Sequence, residues 1–218
     1  MFGCIGRLGC AAVLLVVGAL GWQFRDKWVP RVKEAVTTDA PAATESWAPV
    51  TSAGQQRAKT KVLSLDKANG PAYVNVDPAD FAAYILGASL TQLTVVDTAP
   101  EAIVDGTELY IRTRIKLSEL GGKKALGPLS NMFGDTERLV VAGRIEALRP
   151  GLAQFRLTEV AIRDLKVPAA VVKSLAKRWG IKDRPEGTAA EALPLPLPAH
   201  VGDVRLANGK VTLYRVTP

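Results

Sequence analysis

The distribution of apolar and polar positions divides the chain into three regimes. Residues 8–24, LGCAAVLLVVGALGWQF, are continuously apolar, and residues 35–56, AVTTDAPAATESWAPVTSAGQQ, follow neither a helical nor a strand period. From about Arg57 short periodic runs alternate with turn residues. In this third regime Lys61 to Leu65 and Ala72 to Val76 read as strands around a turn at Asn69-Gly70-Pro71. Asp77-Pro78-Ala79-Asp80 then supplies an N-cap, a proline at the first helical position and an acid in the first turn, which predicts a helix from Pro78 to Leu86. Phe81, Tyr84 and Ile85 share its buried face at spacings of three and four, and Gly87 closes it.

Further strands are expected at Thr91 to Val96 and at Glu108 to Leu117. In the latter, Leu109, Ile111, Ile115 and Leu117 alternate with Tyr110, Arg112, Arg114 and Lys116, so one face is apolar and the other cationic. Ser118 to Asp135 carries several Gly and Pro and reads as a long connection. Arg138 to Leu148 and Leu152 to Ile162, joined by Arg149-Pro150-Gly151, read as a hairpin with long arms. Pro168 opens a second helix ending at Gly180, with Val171, Val172, Leu175, Ala176 and Trp179 on one stripe and Lys173, Lys177 and Arg178 on the other. Residues 193–198, LPLPLP, must be extended because each residue before a proline is pushed out of the α region. Val201 to Leu206 and Val211 to Val216 flank Asn208-Gly209, a hairpin signal. The expected class is α+β: a single N-terminal transmembrane helix, a flexible tether, then a mainly antiparallel curved sheet of long hairpins packed on two short helices.

As a helix, the seventeen residues from Leu8 to Phe24 span about 26 Å, a little less than the ~30 Å hydrocarbon core of a bilayer. Leu14, Leu15, Val16 and Val17 form the apolar centre, Arg7 snorkels at one interface, and Trp22, Phe24 and Trp28 supply an aromatic belt at the other. Residues 1–28 are therefore assigned to a membrane anchor, 29–56 to a basic juxtamembrane segment and a tether rich in Ala, Thr and Pro, and 57–218 to an extracytoplasmic domain. A cleaved signal peptide is the competing reading, with Ala19-Leu20-Gly21 as a poor cleavage site. Arg25, Lys27, Arg31 and Lys33 after the apolar run argue for a cytoplasmic domain by the positive-inside rule. The signal-like layout and the lack of cysteine after Cys10 argue for a periplasmic one in the inner membrane, and this is the reading adopted.

The composition narrows the chemistry. Of 218 residues 48% are apolar and 22% charged, which fits one folded domain, and there are one His and two Cys, the latter being Cys4 and Cys10. A Cys/His zinc site, a disulfide framework and a thiol nucleophile elsewhere are excluded. Glycine-rich phosphate loops, the Gly-x-Ser-x-Gly elbow and His-Glu-x-x-His are absent from the sequence. His200, between Pro198 and a strand, reads as a surface imidazole, and Asp97, Glu101 and Asp105 read as turn acids. No catalytic residue, cofactor, metal or small-molecule substrate is expected, and the chain is read as not an enzyme.

The net charge of +7 has a location. Between Arg163 and Glu186 seven basic residues stand against three acids, and Lys173, Lys177, Arg178, Lys182 and Arg184 are candidates for contact with anionic headgroups or an acidic partner. A solvated helix face is the alternative for that run. Trp47, a lone aromatic in the tether, is a candidate docking residue; the alternative is that it folds back on its own domain. Nucleic acid is disfavoured, since no basic platform interleaved with aromatics is present.

The order of an Asp-Pro-x-Asp-Phe helix, long alternating strands, Leu165-Lys166-Val167-Pro168 leading into a helix, Leu-Pro-Leu-Pro and an Asn-Gly hairpin resembles small membrane-anchored extracytoplasmic proteins of the LmeA and YpmS types. The likeness covers residues 57–216 and rests on order and pattern. It implies a sheet wrapped on helices and a link to lipid binding. Two functions remain open: an accessory subunit docking on a larger integral membrane protein complex, such as an energy-transducing or photosynthetic one, or a membrane-anchored carrier of a lipid or other hydrophobic ligand.

Overall fold

A computed structural model describes residues 46–87, 99–116, 118, 134–168, 172 and 185–216. The first strand, β1 (Ala48–Pro49), is followed at once by a helix. Thr51 has extended backbone and its hydroxyl accepts the Gly54 amide at 3.0 Å, which caps helix α1, Ser52–Ser64. Gly54, Ala58 and Val62, then Leu65 just beyond the last turn, are buried at spacings of four and three and form a narrow inward stripe. Two expectations are corrected here. Lys61 to Leu65 ends a helix instead of forming a strand, and residues 46–56, assigned to the tether, belong to the fold. The physical reason is that the buried stripe begins with Gly and Ala, which carry little hydrophobic signal among Gln, Arg, Lys and Thr.

After strand β2 (Tyr73–Val76), helix α2 occupies Pro78–Leu86 as its punctuation predicts. Asp77 is extended but gives no capping bond, and instead accepts from Lys210 Nζ at 2.5 Å. Phe81 is fully buried, with Tyr84 and Ile85 half-buried against the same core. The two helices approach closely at Gly54, and their buried positions are mostly small, Gly54 and Ala58 on α1 and Ala79, Ala82 and Ala83 on α2. A Cβ on Gly54 would stand 2.4 Å from Asp80 Oδ1. Asp80, 3% exposed, accepts from Arg57 Nε at 2.8 Å and from Nη2 at 2.5 Å, so its buried charge has a bidentate partner.

The remaining strands are β3 (Glu101–Asp105), β4 (Glu108–Lys116), β5 (Thr136–Arg149), β6 (Leu152–Ile162), β7 (Leu165–Lys166), β8 (Ala192–Pro196), β9 (Val201–Ala207) and β10 (Lys210–Arg215). Among the described residues they form a seven-stranded sheet in the order β1-β3-β4-β5-β6-β7, with β8 also on β6, and a three-stranded sheet β2-β10-β9. Every pairing is antiparallel. The β5–β6 hairpin turns at Pro150-Gly151, and the β9–β10 hairpin at Asn208 and Gly209, whose φ values of 51° and 69° suit the tight turn that an Asn-Gly pair forms readily. The β5–β6 register shifts between Ala142 and Gly143, leaving Thr158 as an extra residue that bends the ladder.

Strand β8 explains the alternating prolines. Leu193 and Leu195 face Phe155 and Ala153, and the Leu197 amide donates to the Gly151 carbonyl at 3.0 Å, so the leucine amides point at β6. Pro194 and Pro196 fall between them, where the missing N–H lies on the open edge. The same alternation turns Leu195 into the core and leaves Pro196 exposed.

Both sheets and both helices contribute to one core: Val62, Leu65, Val76, Phe81, Leu109, Ile115, Ile162, Val211 and Leu213 are all within a percent or so of full burial. The described chain is thus a mainly antiparallel α+β fold. No helix among the described residues is long and apolar enough to cross a membrane. The anchor residues Arg7, Leu14, Leu15, Val16, Val17, Trp22, Phe24 and Trp28, the tether up to residue 45 and the strand expected at Thr91–Val96 lie outside the described residues, as do most of the connection after Ser118 and of the helix from Pro168. Of that helix, Val172 is helical and buried, and its amide donates to the Pro168 carbonyl at 3.1 Å.

Gly54→Ala is expected to lower the unfolding free energy by about 1–3 kcal/mol, because a side chain must be forced between α1 and Asp80. Gln56→Ala on the exposed side of the same helix stays within about 0.5 kcal/mol. Urea unfolding of the two variants checks this.

Candidate functional site

The polar groups singled out from the sequence do not converge. His200 Nε2 lies 3.0 Å from the Val62 carbonyl, and Nδ1 lies 3.4 Å from Asp66. The imidazole therefore ties the end of α1 to the segment before β9. It is partly buried, contrary to the surface position expected of it. Glu101 accepts from Arg112 Nε at 2.5 Å, Asp105 is exposed at the β3–β4 turn, and Asp97 lies outside the described residues. Among the described residues no group of three or more His, Cys, Asp or Glu is placed to hold a metal. The features with chemical character are on sheet faces.

The first is the outer face of the large sheet. Tyr110, Arg112, Arg114 and Lys116 point outward from β4, as the alternation predicts, but the face is not uniformly cationic. Tyr110 is buried with Val140, Ala142 and Ala161, and Trp47 and Ile103 pack against this second cluster. The Arg112 guanidinium carbon lies 4.2 Å from the centroid of the Trp47 ring, a cation–π distance. Trp47 thus folds back on its own domain where the chain joins β1. Tyr110 donates to Glu108 Oε2 at 3.3 Å, and Glu108 also accepts from Arg144 Nε at 3.0 Å and Thr158 Oγ1 at 3.2 Å. Burial, then the Glu108 charge, holds the Tyr110 phenol far above its ordinary range, so it stays a proton donor.

One end of this face concentrates positive charge. Arg114 stands directly opposite Arg138 on the outer face, and the Arg163 amide donates to the Arg138 carbonyl at 2.7 Å, while the Arg163 side chain turns to Glu137 on the core face. Lys116 lies one same-face position further along β4, opposite Thr136. Arg138 meets Asp164 at 2.5 Å. Arg163, at a positive φ of 60°, reaches Glu137 with Nε at 3.0 Å and Nη2 at 2.5 Å. Burial pushes the Glu137 carboxyl up, but the Arg163 hydrogen bonds, the Gly134 amide and the Arg163 and Arg114 charges outweigh it, leaving it below its ordinary value.

The second feature is the exposed face of the small sheet. Tyr73 pairs with Tyr214, and Tyr214 with Asp203, while Asn75, Thr212 and Arg205 form the next row. The two tyrosine rings lie 5.9 Å apart at 40°, with the Arg205 guanidinium 5.0 Å from the Tyr214 centroid. Tyr73 is 53% exposed. Beside these residues a groove of about 650 Å³ is lined by Gly70, Ala72, Pro150, Gly202 and Arg215, together with Asp203, Arg205, Tyr214 and Val216. Sequence reasoning passed over this face. Its signal was the outward alternation of Tyr73 and Asn75 with Val74 and Val76, and of Thr212 and Tyr214 with Val211 and Leu213, but nothing in the sequence says that β2 pairs with β10.

Lys173, Lys177, Arg178, Lys182 and Arg184 lie outside the described residues, so only the start of the basic segment, Arg163 and Lys166, is placed. Comparison with protein-family models, with curated proteins and with solved structures found no match.

Because Glu137 is held below its ordinary value of 4.5 in the fold, its contribution to stability is complete above that pH and is lost as the pH falls through the folded value. Glu137→Gln is expected to cost about 1–3 kcal/mol at pH 7 and to flatten the fall in stability on the acid side. Urea unfolding at pH 7 and near pH 3 reads both effects.

Proposed function

We propose that the chain is a non-catalytic accessory subunit. Residues 8–24 anchor it in the inner membrane, and its periplasmic α+β domain docks on a larger membrane protein complex through the aromatic face of the small sheet. The observation that carries this reading is the exposed Tyr73–Tyr214–Arg205 cluster beside the groove. Tyrosine and arginine are the side chains enriched at energetic centres of protein interfaces, where they combine apolar area with a polar end. Tyr73 and Leu63 are the large apolar side chains that stay exposed among the described residues.

The competing reading, a carrier with a lipid between sheet and helices, needs apolar space there. Phe81, Leu65, Leu109, Ile115 and Leu213 are themselves fully buried in that interior, which supports a surface function over a cavity function. The early start of the fold also limits the tether. Seventeen residues, 29–45, reach at most about 60 Å when fully extended, so in this reading the start of the fold at residue 46 lies within that distance of the bilayer.

Purification of the full-length chain from its own membrane in mild detergent, followed by native mass spectrometry, is expected to show stoichiometric co-purifying membrane protein. Tyr73→Ala combined with Arg205→Ala weakens that association by about thirty-fold or more. A lone chain carrying a retained lipid mass would reverse the choice in favour of the carrier. The orientation is checked separately: a cysteine replacing exposed Ala207 in a Cys4→Ser, Cys10→Ser background is expected to react in intact cells with a reagent that cannot cross the inner membrane.

A further inference from the structure

We infer that the basic row at the end of the large sheet, the facing pair Arg114 and Arg138 with Lys116 beside it, is a contact site for anionic phospholipid headgroups. This rests on the reading that the chain is membrane-anchored, and it adds a second surface to the protein-docking face of the small sheet.

The row is costly to the fold taken alone. Like charges directly opposite on neighbouring strands repel, and Arg114 and Arg138 stand in register. The acids nearby are fewer than the cations: Asp164 meets Arg138, and Glu137 is held by Arg163 and shares the field of Arg114. Arg114 and Lys116 are exposed, and the side chain of Arg138 is 46% exposed. A guanidinium offers a planar fork of donors that matches a phosphate in bidentate fashion, and a row of them on a sheet can meet several headgroups at once.

A further observation points to a bilayer as the anion's source. Trp47 lies on the same outer face, packed with Ile103, Tyr110 and Val140, and an indole beside basic residues is the pairing that membrane–water interfaces favour. A domain tethered to its own bilayer meets headgroups at high effective concentration, so modest contacts suffice to hold it down.

The test uses the full chain with Cys4→Ser and Cys10→Ser, carrying a bimane on Thr136→Cys, in nanodiscs containing a lipid with a nitroxide on its headgroup. With about 30% phosphatidylglycerol, quenching at Thr136 is expected to be at least about threefold stronger than in phosphatidylcholine alone and stronger than for a label on Ala207→Cys. Arg114→Gln with Lys116→Gln lowers the docked-to-free ratio roughly thirty-fold, which returns quenching to the phosphatidylcholine level. Should that variant fold poorly, about 0.5 M salt applied to the unaltered arginines gives the same loss by screening. Equal quenching in the two lipids, or quenching that survives both the variant and salt, overturns the inference while leaving the anchor reading intact. Protection of the row in native membranes but not in these nanodiscs assigns it to an acidic protein and overturns it equally. A chain that does not enter the nanodisc removes the anchor reading and the inference together.

Discussion

The close contact between the two helices is the constraint on which the rest of the structure depends. Gly54 lets α1 come within side-chain reach of Asp80, and Arg57 closes over the carboxylate with two hydrogen bonds. A carboxylate buried this deeply is tolerable only when its charge is paired and its lone pairs are engaged. The pair of helices then presents Val62, Leu65 and Phe81 to the sheets as one apolar surface. Leu109, Ile115, Phe155 and Ile162 from the large sheet and Val76, Val211 and Leu213 from the small one close around it.

With the interior occupied, the groups with chemical character among the described residues lie on the outer faces and the edges. The edges are managed by proline: Pro49 in the short β1, and Pro194 and Pro196 along β8, remove donors where another strand would add. The faces differ in kind. On the large sheet, charges are mostly internally paired, as in Glu101 with Arg112, Lys166 with Glu159 and Arg138 with Asp164. On the small sheet, aromatic rings and a groove lie open. One domain thus carries an electrostatic surface and an aromatic one.

Much of the fold was legible. The Asp-Pro start of α2, the alternation in β4, the Asn-Gly turn and the Leu-Pro repeat each have a local cause that acts in any context, namely restricted φ, a side-chain period of two or a required left-handed turn. Helix α1 was not legible, since its inward stripe begins with Gly and Ala and its long polar side chains resemble those of a tether. Trp47 was half legible: its prominence was visible, but its contact with Arg112 depends on β1 pairing with β3 some fifty residues away.

The sequence by itself determined the class of the domain, most of its strand and turn positions, the poverty of catalytic and metal-ligating side chains, and the apolar run at 8–24. These follow from composition and from periods of two and 3.6, which need no knowledge of distant neighbours. Only the tertiary structure decided which charges share a surface. Arg114 and Arg138 sit on different strands, as do Tyr73, Arg205 and Tyr214, and each set is assembled by register across a ladder. Register is fixed by the whole buried face at once, because a slip of one residue would turn every core side chain outward.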